Sequence, residues 1–394
     1  MRLNYKKLGQ YIQMVDNRNK DLAITRLLGV SIEKRFIPSI ANIVGTDLSN
    51  YKIVRTGQFA YGPVTSRNGE KVSIAYLDSD DCIISSSYTV FEVIKKEELD
   101  SEYLMLWFSR PEFDRYARYK SHGSVREIFD WDEVCNVELP VPSIEEQRSI
   151  VKAYKAITDR IALKKRINDN LEATIQAIFK SMFIDYEGAD YSDYIDFEFG
   201  KYPANWNLVD LDSIIDVRDG THDSPSPTES GKYLITSRHL LPYAVDRSGA
   251  YFINETDYNK ANERSKVEYG DILFSMIGTI GIISFITDRE IDFAIKNVGL
   301  FRTSQNPTMR YFILSYLKSK IVENYISSYM AGSTQSYVSL NVLRKIPLIL
   351  PPDEVIHRFE KQVTPLYAKM IENTHEIIKL NDLKDVITTS MSSR

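Results

Sequence analysis

A long internal repeat constrains the fold of this 394-residue chain more than any other feature. After Ser143, apolar or core-compatible residues recur every three or four positions, at Ile150, Tyr154, Ile157, Ile161, Leu171, Ile175, Ile178 and Met182. Adding 209 to these numbers gives Phe359, Val363, Leu366, Met370, Leu380, Lys384, Ile387 and Met391. Only Lys384 is not apolar, and the same offset places Gly123-Ser124 on Gly332-Ser333. The sequence therefore predicts two copies of one structural frame.

Each copy ends in a long helix. Ser143 and Glu146 form a capping-box pattern at the start of the first helix, which should cover residues 143–185. At 1.5 Å per residue, about 40 residues span roughly 60 Å, so the apolar seam needs a partner along its length. The second helix, over 353–391, carries the matching seam. We predict an antiparallel coiled-coil pair, with a kink or a later start of the second helix at Pro365.

Polar residues interrupt the seam near the middle of both helices. They are Lys164 and Asn168 in the first helix, and the offset maps them onto Asn373 and Ile377. One hypothesis is that Lys164, Asn168 and Asn373 meet in the pair and set its register at some cost in stability. The alternative is that they point at solvent where the seam opens.

The parts outside the helices are predicted to be rich in strands. Residues 71–77 and 82–93 alternate apolar and polar residues as half-buried strands do, and 272–303 supplies three further candidates. An aromatic-rich helix follows each set, at 102–119 and 308–329. The predicted fold class is α+β, with two globular parts separated by two long antiparallel coiled-coil helices in a pseudo-twofold repeat. The predicted boundaries are 1–142, 143–187, 188–350 with a short linker at 188–207, and 351–394.

Composition favours a globular protein, since 43% of the residues are hydrophobic and 26% are charged. The longest apolar run, 272–286, is too short for a membrane helix, and Met1–Gln10 lacks the features of a secretory signal, so we expect a cytoplasmic protein. Two cysteines, Cys82 and Cys135, are too few for a disulfide framework or a cysteine zinc site. The net charge of −5 argues against DNA binding, although no acidic residue lies between 292 and 323.

No catalytic motif is evident. The chain has no GxxxxGK[ST] phosphate loop, and Asn306-Pro307-Thr308 is the nearest approach to the Asn/Asp-Pro-Pro-aromatic loop of an adenine methyltransferase. Asp353 with Asp382 and Lys384 weakly echoes a nuclease pattern, but all three fall on the predicted second helix. The five histidines show no metal-ligand spacing. We expect neither catalysis nor a metal site in this chain.

Several stretches resemble the specificity subunits of type I restriction-modification systems. In the second globular part they follow the family's order, as Asp219-Gly220-Thr221-His222-Asp223-Ser224-Pro225, Gly231-Lys232-Tyr233-Leu234-Ile235, Tyr269-Gly270-Asp271-Ile272-Leu273-Phe274-Ser275, Ile277-Gly278 and Gly332-Ser333. Residues 139–150, which lead into the first helix, are also similar to the family's sequence. The chain departs from the family pattern before Gly57, and Val355-Ile356 stand where the repeat would place a second Glu146-Gln147 pair.

The resemblance implies a non-catalytic subunit with two target-recognition domains, at 1–142 and 188–350. Each domain would bind one half of a bipartite, asymmetric site in double-stranded DNA. The paired helices would fix the spacer between the half-sites and hold two methyltransferase subunits, which restriction subunits would join. S-adenosylmethionine, ATP and Mg²⁺ would then belong to the partner subunits, with no cofactor bound by this chain.

Polar loops supply the candidates for DNA contact, because base edges need forked donors and phosphates need cations or small polar groups. In the first part these are Tyr61, Ser66, Arg67, Asn68 and Lys71. In the second part they are Thr221, His222, Lys232, Ser237, Arg238, His239 and Lys296. Backbone contacts are predicted for the turns at Gly123, Ser124, Arg126, Gly332, Ser333, Thr334 and Gln335. For each residue, the alternative is a hydrogen bond within its own loop and no role in DNA binding.

Two other functions fit the same pattern. The architecture would also serve a specificity subunit of another restriction-methylation class, which the accompanying genes would distinguish. A coiled-coil scaffold whose globular ends bind proteins is the alternative of a different class, and it predicts that the purified complex protects no DNA.

Overall fold

The computed structural model describes residues 5–40, 45–66, 68–123, 126–187, 193–331 and 337–392. It divides into two compact units. Unit 1 comprises Met1–Ile161 and Lys379–Arg394, and unit 2 comprises Ala162–Ile378. Both units combine strands and helices, which confirms the predicted α+β class.

Unit 1 is built around a four-stranded antiparallel sheet. The strands of unit 1 are β1 (Tyr5–Lys7), β2 (Ile12–Val15), β3 (Leu28–Val30), β4 (Phe36–Pro38), β5 (Lys52–Val54), β6 (Phe59–Tyr61), β7 (Ile74–Tyr76), β8 (Cys82–Ile84), β9 (Thr89–Val93) and β10 (Glu138–Pro140). Its helices are α1 (Ser101–Phe108), α2 (Pro111–Tyr119) and α3 (Trp131–Asn136), and α4 (Ile144–Phe183) begins in this unit. The sheet has the order β2-β9-β6-β7, and β1 pairs with β10.

Unit 2 contains the second copy of this frame. Its strands are β11 (Tyr194–Phe197), β12 (Gly200–Pro203), β13 (Asn207–Asp210), β14 (Val217–Asp219), β15 (Lys232–Ile235), β16 (Leu240–Leu241), β17 (Ala244–Val245), β18 (Phe252–Ile253), β19 (Ile272–Ser275), β20 (Ile283–Phe285), β21 (Phe293–Ile295), β22 (Val298–Phe301) and β23 (Pro347–Leu350). Its helices are α5 (Glu255–Ser265), α6 (Arg310–Leu317), α7 (Lys320–Ala331), α8 (Leu340–Arg344) and the start of α9 (Asp353–Ser390). The four-stranded sheet has the order β14-β22-β19-β20.

The structure confirms the internal repeat. The elements α1, α2, α3, β10 and α4 each begin 209 residues before α6, α7, α8, β23 and α9, respectively. The two four-stranded sheets also have the same order when their strands are numbered along the chain. The shared frame therefore extends from the central sheet to the long helix, and the copies differ in what is inserted before and between the sheet strands.

Two of the predicted elements are divided. The helix predicted over 102–119 is α1 and α2, because the residue before Pro111 is disfavoured in helical conformation and Arg110 is extended, with ψ of 141°. The strand predicted over 82–93 is β8 and β9, because the Tyr88 amide donates to the Ser85 carbonyl and turns the chain. The predicted later start at Pro365 is wrong, since α9 begins at Asp353 and continues through the proline.

The long helices pair through the predicted seam. Every described seam residue is buried or half-buried. Within unit 2 the pairing is antiparallel, since the rings of Phe179 and Phe359 lie 5.8 Å apart and Lys164 lies 2.6 Å from Glu376. At the other ends of the helices, Met391 belongs to the same apolar core of unit 1 as Val151.

The polar seam residues are bonded to one another. Asn373 is fully buried, accepts a hydrogen bond from Lys164 Nζ at 3.0 Å and donates to Asn168 Oδ1 at 2.9 Å. Lys164 also pairs with Glu376, and Asn168 donates to the Thr374 hydroxyl at 3.3 Å. These contacts exclude the alternative that the three residues point at solvent. Their role in setting the register stays a prediction.

We expect leucine at both Asn168 and Asn373 to weaken the register of the helix pair, because Lys164 would lose its amide partner in a buried site. Assembly and thermal melting of the double variant measure the effect. A matched control is Asn170→Leu, since Asn170 is exposed on the same helix. Melting and assembly equal to wild type in the double variant would contradict the register hypothesis.

Glu360 couples α9 to the start of α6. Its carboxylate accepts hydrogen bonds from the amides of Tyr311 and Phe312, both at 2.8 Å. Burial raises the pKa of Glu360 from 4.5 to about 7. The folded protein therefore holds this proton more tightly than the unfolded chain, so the stabilisation is present below pH 4.5 and is lost as the pH rises through 7.

A glutamine at position 360 keeps an acceptor for both amides and removes the charge. Between pH 5 and 8, we expect the wild type to lose about 2 kcal/mol of unfolding free energy relative to Glu360→Gln. Urea unfolding at several pH values measures this difference. Glu354→Gln, on the exposed side of the same helix, is the control and should retain the wild-type slope.

Candidate nucleic-acid interface

In unit 1, two predicted segments meet at one end of the four-stranded sheet, which we call the loop end of unit 1. Its described residues are 62–66 and 68–73, between β6 and β7, and 121–123 and 126–129. Val64 forms a β-bridge with Ile128, and the Thr65 amide donates to the Glu127 carbonyl at 2.9 Å. The Thr65 hydroxyl also bonds to the Ser121 hydroxyl at 2.9 Å. The structure thus brings the segment with Ser66 and Asn68 beside the turn with Gly123 and Arg126.

The predicted residues of this loop end differ in how exposed their side chains are and in whether they already bond to other protein groups. Ser66 and Arg126 are exposed, and Lys71 forms an exposed ion pair with Glu33 at 2.8 Å. Asn68 donates to the Val64 carbonyl at 3.3 Å, which is the predicted alternative of a bond within its own loop. Gly123 has φ of +132°, and a Cβ there would lie 2.2 Å from the Arg126 carbonyl oxygen, so only glycine fits. Arg67 and Ser124 lie outside the described residues.

Tyr61, which was predicted to contact DNA, is buried in the structure. Its side chain is 1% exposed, and its ring packs near Phe91 and Phe129. All three residues of β6 are buried, because apolar cores cover both faces of the sheet at this strand. A side chain in that position does not reach a ligand on the surface.

In unit 2, three segments meet at the corresponding sheet end, which we call the loop end of unit 2. They are 219–224, 235–239 and 295–297. Thr221 forms a β-bridge with Lys296, and its amide donates to the Ile295 carbonyl at 2.9 Å. The Lys296 amide donates to the Ile235 carbonyl at 2.8 Å. The predicted residues brought together here are Thr221, His222, Ser237, Arg238 and Lys296.

A buried carboxylate organises this loop end. The Asp219 side chain is 6% exposed and accepts from His222 Nε2 at 2.9 Å and from Arg264 Nη2 at 2.5 Å. The other ring nitrogen of His222 lies 2.7 Å from Asn297 Oδ1, so both neighbours of the ring are acceptors. The loop is thereby held in one arrangement, with cationic groups beside Thr221.

Other contacts fix the rim of the same loop end. Lys296 donates to the Ser224 hydroxyl, and Lys260 pairs with Asp223 at 2.8 Å. The hydrogen bond from Lys260 holds the pKa of Asp223 below its ordinary value, so this acid stays ionised near neutral pH. Arg238 is exposed and donates to the Gly249 carbonyl at 3.2 Å.

Two predicted residues of unit 2 lie elsewhere. His239 is 3% exposed, and its Nδ1 accepts from the Thr236 amide at 3.0 Å, which is the predicted alternative of a hydrogen bond within its own loop. Lys232 lies at the opposite end of β15 from Ile235, with its Nζ 5.9 Å from the centre of the Tyr258 ring. The turn residues Gly332, Ser333, Thr334 and Gln335 lie outside the described residues.

Sequence reasoning missed several residues that shape the unit 2 loop end, chiefly Asp219, Lys260, Arg264 and Asn297. Asp219 precedes His222 by three positions, and that spacing could have indicated that the two side chains meet. Arg264 and Asn297 lie 45 and 78 positions from Asp219, and nothing local in the sequence connects them to it.

Comparison with known families decides what this arrangement belongs to. A family model described as "Type I restriction modification DNA specificity domain" matches residues 38–173 and 203–381, which together make up most of the chain. The chain belongs to the family of type I restriction-modification specificity subunits. Specificity subunits are the DNA-recognition components of type I systems and are not catalytic, and that is the function of this chain.

Characterised relatives agree with this assignment. The specificity subunit is 27% identical over 314 residues to the MjaIX specificity subunit of Methanocaldococcus jannaschii, covering 75% of this chain and 69% of the relative. It is 21% identical to the HindI specificity subunit of Haemophilus influenzae, covering 88% of each. The crystal structure of an S subunit from M. genitalium has the same fold, with a TM-score of 0.59 at 13% identity, over 99% of this chain and 96% of that one.

The described ranges of the specificity subunit contain no group of three or more His, Cys, Asp and Glu side chains placed to hold a metal ion. None of their helices is both long and apolar enough to cross a bilayer.

Proposed function

We propose that the specificity subunit recognises a bipartite, asymmetric site in double-stranded DNA, with one half-site bound at the loop end of each unit. The observation that supports this is one sheet order repeated in both units with different loops at the corresponding sheet ends. Two copies of a frame that carry unlike loops are suited to two unlike half-sites. We assign the recognition domains to residues 1–142 and 188–350, the linking helix to 143–187 and the C-terminal helix to 351–394.

The contact residues we propose are the exposed or half-buried polar ones that the structure leaves at the loop ends. In unit 1 they are Ser66, Lys71 and Arg126, with Gly123 shaping the turn and Asn68 retained as the weaker candidate. In unit 2 they are Thr221, His222, Ser237, Arg238 and Lys296. Arg67, Ser124, Gly332, Ser333, Thr334 and Gln335 remain proposals from the sequence alone.

We further propose that two methyltransferase subunits and the restriction subunits bind this chain, and that the paired helices fix the spacer. Apolar side chains exposed on the long helices support a docking role, namely Leu163, Ile378, Leu383 and Val386. S-adenosylmethionine, ATP and Mg²⁺ belong to those partners in this proposal. A complex that acts on cellular DNA works in the cytoplasm.

Mapping methylation in the host is the first experiment, because it reveals the two half-sites and their spacing. DNA binding by the complex with its methyltransferase is then measured against salt and against substitutions in each half-site. We expect Arg238→Ala to lower affinity by about 10- to 100-fold, with the loss of discrimination confined to one half-site. Lys296→Met should weaken all sequences alike and reduce the salt dependence, as loss of a phosphate contact does.

Lys320→Ala is the matched control, because Lys320 is 80% exposed in the same unit and its ion pair with Glu323, at 2.6 Å, lies on the surface of α7, where such pairs contribute little. Equal discrimination at both half-sites in Arg238→Ala would refute its assignment. A complex that protects no DNA would refute the proposed function and favour the scaffold alternative.

A further inference from the structure

A hairpin of unit 2 covers the outer side of α7. Strands β11 and β12 pair from Tyr194 with Pro203 to Phe197 with Gly200. Phe197, Phe199 and Tyr202 pack against the main apolar core of the unit, and the Phe199 ring lies 5.8 Å from that of Tyr325. This hairpin lies in the segment that connects α4 to β13. The repeat allows the same place to be compared in unit 1.

The corresponding place in unit 1 is a pocket of about 580 Å³. The offset of 209 maps Tyr325 onto Tyr116 and Tyr316 onto Trp107, and both of these line the pocket. Tyr5 and Phe113 add further aromatic wall, and Ser392 lies at the edge. In the part of unit 1 that the structure describes, no hairpin occupies this position.

The pocket holds a buried arginine with an unused donor. Arg110 has a side-chain exposure of 4% and lies against the Trp107 ring at 4.2 Å. Its Nη2 is 3.3 Å from Glu112, whereas no described group accepts a hydrogen bond from its Nε. A buried donor without a partner costs free energy, and a guanidinium edge matches a carboxylate. The pocket therefore combines aromatic walls with a donor suited to an acidic side chain.

The covering hairpin of unit 2 indicates which side chains would fit the pocket of unit 1. The tip of the covering hairpin there has the sequence Phe197-Glu198-Phe199, an acid between two aromatic residues. The charge of Glu198 adds to the raised pKa of Tyr325, after the larger effects of burial, of Tyr329 and of Asp210. An acid in the same position over α2 would lie above Tyr116, which shares the pocket with Arg110.

We propose that this pocket of unit 1 is a docking site for a β-hairpin of a partner protein that carries an aromatic-acidic-aromatic tip. The contact is reversible, because Glu112, Lys120 and Glu133 stand where the permanently covered copy has Ile321, Tyr329 and Val342. A charged rim of that kind tolerates water when the pocket is open, and an aromatic centre supplies the contact area when it is filled. The proposal is independent of DNA recognition.

The test uses the full-length chain and a defined probe. The probe is a fluorescein-labelled peptide with the sequence of residues 193–204, closed by a disulfide between added terminal cysteines so that the hairpin is preformed. We expect saturable binding by fluorescence anisotropy with a Kd on the order of 100 μM, as for a small transient interface. Tyr116→Ala and Arg110→Met should each weaken it about tenfold. Tyr119→Ala, 81% exposed on the same helix, should not.

Changing the peptide tests the same contact without touching the fold of the protein. A probe with the substitution Glu198→Gln should bind the wild-type chain about tenfold more weakly, and it should lose nothing further on Arg110→Met. Absence of saturable binding up to roughly 2 mM, far above the Kd expected for a transient contact, would overturn the proposal. So would binding that the protein variants and the peptide variant leave unchanged.

Discussion

Lys318→Met is expected to lower the free energy of unfolding of unit 2 by about 3 kcal/mol, because it leaves a carboxylate in a buried site without its cation. Lys318 Nζ lies 2.7 Å from Glu172 Oε2 and 3.0 Å from the Tyr243 hydroxyl. The two charged side chains are only 19% and 28% exposed. The pair joins α4 to the turn after α6, so its loss loosens the attachment of α6 to the long helix.

The pH dependence of this pair has a definite sign. Burial alone would raise the pKa of Glu172, but Lys318, together with hydrogen bonds from Tyr243 and Gln176, outweighs burial and holds the pKa below its ordinary value of 4.5. The stabilisation is therefore present above pH 4.5 and is lost as the pH falls through the pKa of the folded state. Lys318→Met should remove this acid-sensitive contribution.

Matched variants separate the buried pair from ordinary surface charge. Lys320→Met removes a lysine whose partner Glu323 is exposed, and it should cost less than about 0.5 kcal/mol. The double variant Glu172→Gln with Lys318→Met should recover part of the loss, since no charge is then left unpaired. Equal unfolding free energies for Lys318→Met and Lys320→Met would contradict the prediction.

Gly220→Ala is expected to reduce DNA affinity about tenfold or more at the half-site that we propose for unit 2, on the scale of a lost base contact. A Cβ at this position would lie 2.3 Å from the Ile295 carbonyl oxygen and 2.5 Å from its carbon. Neither atom can move freely, because that carbonyl accepts the Thr221 amide at 2.9 Å. The substitution must displace Thr221 from Lys296 and so distort the loop end of unit 2.

Binding to DNA with either half-site scrambled measures this effect. Gly29→Ala is the control, because a Cβ there meets only the Tyr88 hydroxyl at 3.8 Å, an ordinary contact. We expect the control to bind both half-sites as the wild type does. Wild-type binding by Gly220→Ala would show that the loop end of unit 2 is not where DNA is recognised.

The repeat made the frame of this chain predictable. An apolar seam with a constant offset located both long helices, and the Ser143 hydroxyl caps the first one by accepting from the Glu146 amide at 3.2 Å. The same offset also related the shorter helices of the first copy to those of the second. The regular spacing of apolar residues is a local property of the sequence, so it predicts a helix without knowledge of distant contacts.

The candidate interface was less predictable, because it depends on contacts between distant residues. Tyr61 was assigned to a polar loop, but cores on both faces of the sheet bury it, and the sequence of one strand does not show that its second face is covered. Asp219 is bonded to Arg264 on α5, and its other partner His222 is bonded to Asn297, which follows β21. Lys318 meets a glutamate 146 positions away. Such pairs are fixed by the packing of whole elements.

If the hydrogen-bonded cluster of Lys164, Asn168 and Asn373 sets the register as we predict, it limits how this architecture can change in evolution. If α9 slid along α4 by one heptad, Lys164 would face Leu366 and Lys369, or Leu380 and Leu383, in place of Asn373 and Glu376. Either shift would place the ammonium group of Lys164 against aliphatic side chains or beside another cation, without its present partners. Longer helices would therefore have to arise by paired insertions, one in each helix and on the same side of the cluster.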